Sequence, residues 1–240
     1  MQIIICKNYD EVSQKASEII ISQLKKNPKS ILGLATGSTP IGLYQKLIQA
    51  YKSKEISFKD VKSYNLDEYL GINRNHPESY FSFMHTNLLN HVDIKEENTH
   101  LPNNDLHTVV DDIKKYNEKL ARDIIDIQVL GIGGNGHIGF NEPGSPFENE
   151  TFATDLTERT RQDNLRFFNN IDEVPKRAVT MGIRTILRSR KIILLATGTS
   201  KADAVQKMIK GPITIDVPAS ALQMHPNVVV ILDEEAAIQL

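Results

Sequence analysis

Short unbroken apolar runs alternate along this chain with stretches whose apolar residues return every three or four positions, and few folds accommodate that pattern. Residues 2–6, 30–34, 61–65, 127–132, 191–196 and 228–232 read as strands. Between them, Val12, Ala16, Ile19, Ile20 and Leu24 mark one helical face, and Tyr44, Leu47, Ile48 and Tyr51 a second. Ile113, Tyr116, Leu120 and Ile124 mark a third, and Ala204, Val205, Met208 and Ile209 a fourth. Asp10 is placed to cap the first of these helices and Pro40 to occupy the first turn of the second. Strands alternating with helices predict an α/β fold: a mostly parallel, Rossmann-like sheet covered by helices on both faces. Nothing resembles a linker, a low-complexity tract or a repeat array, so residues 1–240 read as a single domain.

Bulk chemistry removes several classes of function. Of 240 residues, 40% are hydrophobic and 24% charged, an ordinary globular balance that supports one large core. The formal net charge of −2 gives no general basic field for nucleic acid or an anionic membrane, which leaves only local basic pockets. The lone cysteine, Cys6, excludes an internal disulfide and a cysteine-based metal site, and its apolar neighbours read as core. No secretory signal is visible, and no apolar run approaches the ~20 residues that span a bilayer. A cytoplasmic protein is expected.

Two near copies, Leu34-Ala35-Thr36-Gly37-Ser38-Thr39 and Leu195-Ala196-Thr197-Gly198-Thr199-Ser200, each sit at a strand-to-helix junction. Small residues there let backbone N–H groups and hydroxyls approach an anion, with a helix N-terminus behind them. Ligands gather at the carboxyl ends of strands in open parallel sheets, so both loops can serve one ligand. Arg166 and Lys201 are the cations placed to neutralise it. The run from Gly131 to Gly139 contains G-x-G-x-x-G, but Pro143, Gly144 and Pro146 arrive too soon for the helix that a dinucleotide fingerprint opens. That run reads instead as a bend presenting His137, a proton carrier near neutral pH, with Glu142 close behind. Asp67, in Asp67-Glu68-Tyr69 at the end of the third strand, is placed as a general base. His85, His91, His100 and His107 lack the spacing of a helical zinc site, and Asp233-Glu234-Glu235 reads as a solvated turn.

Together these segments resemble the glucosamine-6-phosphate deaminase family. The resemblance rests on the run from Leu32 to Pro40, on Asn65-Leu66-Asp67-Glu68-Tyr69, on His76-Pro77-Glu78-Ser79-Tyr80 and, most specifically, on Gly136-His137-Ile138-Gly139-Phe140-Asn141-Glu142-Pro143. It implies conversion of glucosamine 6-phosphate and water to fructose 6-phosphate and ammonia, without metal or organic cofactor. By the same resemblance, His137 assists ring opening, oriented by Asn135 and Glu142, and Asp67 carries the proton between C2 and C1. Gly37, Ser38 and Thr39, with Arg166 and Lys201, hold the phosphate. Many members have aspartate where this chain has Asn135, which is expected to hydrogen-bond His137 while raising its basicity less. Phe152 and Thr154 stand where regulated members carry basic residues, and the chain stops at Leu240 where theirs runs on. The expected partner is therefore a small sugar phosphate, with neither nucleic acid nor membrane, bound by a monomer or small homo-oligomer rather than a hexamer. The related 6-phosphogluconolactonases have a Gly-His loop that continues without Phe-Asn-Glu-Pro. A non-catalytic sugar-phosphate sensor is the other alternative.

Overall fold

The computed structural model describes residues 1–240. In chain order the regular elements are β1 (Gln2–Cys6), α1 (Tyr9–Lys26), β2 (Ile31–Leu34), α2 (Ile41–Lys52), β3 (Lys62–Asn65) and β4 (Asp67–Tyr69). There follow α3 (Tyr80–Asn87), β5 (Thr99–His100), α4 (Val109–Arg122), β6 (Ile127–Leu130), β7 (Phe152–Asp155) and α5 (Glu158–Asn164). β8 (Arg177–Thr180), α6 (Ile183–Leu187), β9 (Ile192–Ala196), α7 (Ala202–Lys210) and β10 (Val228–Asp233) complete the chain.

Seven strands form one sheet in the order β1-β10-β9-β6-β2-β3-β5, every pair parallel and the sheet flanked by helices. β9 and β10 are buried at every position, as central parallel strands must be. β1, paired on one side only, leaves Ile3 and Ile5 exposed. Forty-eight buried residues make one continuous core. No helix is long and apolar enough to cross a membrane.

The strand order fixes where a ligand can sit. From β2 the chain runs outward through β3 to β5, then returns to β6 on the other side of β2. The loops leaving β2 and β6 therefore part in opposite directions and open a crevice at the carboxyl edge of the sheet. The loop after β9, next to β6, borders the same crevice.

Two expectations need correction. Asn8, not Asp10, caps α1: its side chain accepts from Glu11 N at 3.0 Å, and Asp10 lies within the first turn. Asp67 does not end the third strand. The chain turns after Asn65, and Asp67–Tyr69 joins a separate antiparallel sheet, β4-β8-β7, with Asp67 opposite Thr180. This second sheet stands over the crevice as a wall.

Candidate active site

A cavity of 470 Å3 occupies the crevice. Gly37, Ser38, Thr39, Asp67, His137, Arg166 and Lys201, seven of the nine residues expected there, line it. Asn135 and Glu142 stand behind His137, off the cavity wall.

Part of its lining forms a cradle of small and hydroxyl-bearing residues. The Thr36–Thr39 turn and the near copy carrying Thr197, Ser200 and Lys201 both face it. Gly37 has φ +94°, a conformation that an L-residue adopts only under strain, so glycine is what lets this turn fold back. Tyr9 holds the turn from outside, its hydroxyl donating to Ser38 O at 3.1 Å and accepting from Gly42 N at 2.7 Å. The second loop is held by Asp233, whose carboxylate accepts from Gly198 N and Ala236 N. Asp233 is thus a buried brace, where the sequence suggested a solvated turn; Glu234 and Glu235 are exposed. Burial pushes the Lys201 ammonium down from its usual range; Asp163 opposes this, while Arg166 and Arg159 add to it. Arg166 rests over the Phe167 ring, 4.7 Å from its centroid.

Asp67 lines the same cavity, as does Tyr69 two residues on, which packs against Tyr80, Phe140 and Phe168 at centroid distances of 4.8, 5.7 and 6.0 Å. The Asp67 carboxylate accepts no hydrogen bond from the protein and points into the cavity. Burial, reinforced by the negative charge of Glu68, pushes it up to about 8. The adjoining Glu68 is also raised by burial, but it accepts from Tyr69 N, Tyr80 N and Phe81 N at 2.9, 3.0 and 2.9 Å, which opposes the rise. Glu68 thus ties β4 to the start of α3. Ser79 caps that helix by accepting from Ser82 N at 3.1 Å, which accounts for the His-Pro-Glu-Ser-Tyr segment.

His137 lines the cavity too. Its ring packs so closely on Gly133 that a β-carbon there would fall 2.2 Å from the imidazole Cε1. Glu142 Oε2 is 3.7 Å from His137 Nδ1, an ion-pair distance, and accepts from Asn135 Nδ2 at 2.8 Å. Glu142 Oε1 accepts from the Thr160 hydroxyl. Burial alone would raise Glu142, but His137, Thr160 and Asn135 outweigh it and hold the carboxyl at about 2. Asn135 does hydrogen-bond His137, though through the backbone and not the ring. Its amide donates to Glu142, and its carbonyl accepts from the His137 backbone N–H at 3.2 Å. Thr180 links the two carboxylate regions: it sits opposite Asp67 in β8 and accepts from Phe140 N at 3.0 Å.

Sequence reasoning missed the aromatic wall and Thr160. The one local signal for Thr160 was Thr157-x-x-Thr160, where Thr157 caps α5 and fixes the threonine a turn later. No helix follows the Gly131–Gly139 run before α5, in keeping with the rejected dinucleotide reading. The histidines set aside are scattered: His85 meets Asn90, His91 meets Thr86 O, and His100 packs at a tilt against Tyr64.

The fold and cleft define an α/β protein whose cavity gathers two Thr-Gly turns, Arg166 and Lys201 with one carboxylate, Asp67, and an imidazole backed by a second, Glu142. The sequence profile of the glucosamine-6-phosphate isomerases/6-phosphogluconolactonase family matches residues 7–231, and the chain belongs to that family. A glucosamine-6-phosphate deaminase of Thermoanaerobacter pseudethanolicus is 49% identical, covering 99% of this chain and 94% of that protein. A solved structure described as a monomeric glucosamine-6-phosphate deaminase superposes with a TM-score of 0.97 at 44% identity over the whole of both chains. The 6-phosphogluconolactonase of Trypanosoma brucei shares the fold alone, with a TM-score of 0.81 at 20% identity over 100% of this chain and 98% of that one.

Proposed function

We propose that this chain is a glucosamine-6-phosphate deaminase, converting D-glucosamine 6-phosphate and water to D-fructose 6-phosphate and ammonia. The observation that carries the reading is the Asp67 carboxylate, buried without a partner and facing a cavity that Arg166, Lys201 and the Thr36–Thr39 turn also line. Full-length relatives of about half-identical sequence that carry this name support it.

In this scheme the cradle holds the phosphate, fixing the sugar so that C1 and C2 lie beside Asp67 and lowering the entropy barrier. His137 carries the proton from the C1 hydroxyl to the ring oxygen, opening the ring to the aldehyde. Glu142, ionised and held by Thr160 and Asn135, stabilises the imidazolium while it carries that proton. Asp67 removes the proton from C2 while O1 takes one from the substrate's own ammonium group, leaving a neutral enolamine, and Asp67 then returns its proton to C1. The product is a C2 ketimine, which adds water and releases ammonia as the C2 ketone forms. One base serves two adjacent carbons, and a pKa near working pH suits both halves of that task.

We also propose a cytoplasmic monomer or small homo-oligomer, which sedimentation of the purified protein tests. The activity is tested by coupling fructose 6-phosphate formation to a dehydrogenase and measuring ammonia in parallel. Equimolar products support the proposal. Hydrolysis of 6-phosphogluconolactone with no ammonia release overturns it.

A further inference from the structure

β4 has three residues, yet it divides two cavities. Successive side chains of a strand point to opposite sides. Asp67 and Tyr69 line the cleft described above, whereas Glu68 lines a second cavity of 280 Å3. The start of α3 divides in the same way, with Tyr80 on the cleft and Phe81 on the second cavity.

The Glu68 carboxylate, at this second cavity, is already engaged by three backbone N–H groups. The other charged side chains lining it are basic. Arg74 lies with its guanidinium carbon 3.8 Å from the Phe81 ring centroid, and Lys119 comes from the last turn of α4. Neither makes an ion pair or donates a side-chain hydrogen bond. His100 lines the same space, its ring tilted against Tyr64 at a centroid distance of 4.6 Å and its imidazole pushed down by burial and by Lys119. The neighbouring carboxylates are occupied: Asp123 by Lys62 and Tyr64, and Asp112 by Asn103, Thr108 and Lys115.

From this juxtaposition we propose that the cavity between Arg74, His100 and Lys119 binds a phosphate-type dianion, and that β4 transmits its occupancy to Asp67. Neither cation makes an ion pair, Arg74 acts on Glu68 only through space, and the volume accepts a phosphate group. An anion on Arg74 cancels its positive field at Glu68 and adds negative charge behind β4. Asp67 then holds its proton more tightly. The binding half stands by itself; the transmission half rests on Asp67 being the base of the proposed reaction.

The test uses inorganic phosphate and the histidine ring resonances of the full chain, with His100 assigned through His100→Gln. Arg166→Gln with Lys201→Gln first weakens binding at the cradle. Phosphate is then expected to move the His100 resonances, and adding Arg74→Gln with Lys119→Gln weakens that titration by at least about tenfold. Resonances that never move, or that move equally after Arg74→Gln and Lys119→Gln, overturn the site. For the second half, kcat at saturating substrate is followed against pH with and without phosphate. The acid limb is expected to move to higher pH in the native enzyme and to stay put in Arg74→Gln/Lys119→Gln. An unmoved limb beside an intact His100 titration overturns the transmission. A protein that releases no ammonia overturns the proposed function instead, and the His100 titration still decides the site.

Discussion

Asp67 and Glu142 belong to one site and are each 6% exposed, yet their proton affinities part in opposite directions. Asp67, with no donor, is pushed up to about 8, and Glu142, given donors by Thr160 and Asn135 and a neighbour in His137, is held at about 2. Burial raises both, and Glu68 adds to the rise at Asp67, whereas hydrogen bonds and the His137 charge reverse it at Glu142. A withheld partner makes one carboxylate a base, and supplied partners make the other a permanent anion.

The largest expected effect comes from Asp67→Asn. Activity and proton exchange at C2 should fall by roughly a thousandfold or more, the range of a lost general base. Stability should move the other way. An acid raised from 3.8 to about 8 on folding destabilises the protein progressively as pH rises through that window. Asp67→Asn should therefore melt higher than the native protein at pH 9 and equally at pH 3. Equal melting temperatures at both pH values would mean that Asp67 is not desolvated.

Glu142→Gln comes next, with kcat reduced by about a hundredfold. A depressed carboxyl contributes stability above its unfolded value of 4.5, and loses that contribution as pH falls through 2. Urea titrations should show the variant weaker by ~1–3 kcal/mol at pH 7, with the gap closing towards pH 2. A gap independent of pH would assign Glu142 to packing alone.

Lys201 sharpens the contrast from the cationic side, since burial lowers it while Asp163 props it up. Lys201→Ala or Arg166→Ala should raise KM by roughly tenfold to a hundredfold, with a smaller fall in kcat. A dominant kcat effect at unchanged KM would remove phosphate anchoring. The mildest test needs no mutation: kcat/KM of the native enzyme should climb from pH 6 towards 8, as free Asp67 becomes ionised, and then level off. A rate already flat at pH 6 would place the base well below that range.

Much of this was legible in the chain. Apolar runs marked five of the seven parallel strands, because strands buried on both faces need unbroken hydrophobic residues; residues 61–65 were read as a sixth despite Lys62, Ser63 and Asn65, and the two Thr-Gly turns stood out as near copies. The second sheet was not legible. Phe152–Asp155 and Arg177–Thr180 are four residues each, of mixed polarity, with no period to read. Their pairing with Asp67–Tyr69 joins segments far apart in sequence. The hydrogen bond expected between Asn135 and His137 is present, but its route was not legible: the turn offers the His137 backbone N–H to Asn135 and aims the Asn135 amide at Glu142.

By itself the sequence determined which residue types were at hand, and it determined the order of strand and helix that puts loops at one edge of a parallel sheet. Those are properties of local period and turn chemistry. Only the tertiary structure decided that one carboxylate would lack donors while the other received them, that Asp233 would brace a loop, and that β4 would separate two cavities. Proton affinity depends on what surrounds a group in three dimensions, and those surroundings are assembled from segments the chain keeps apart.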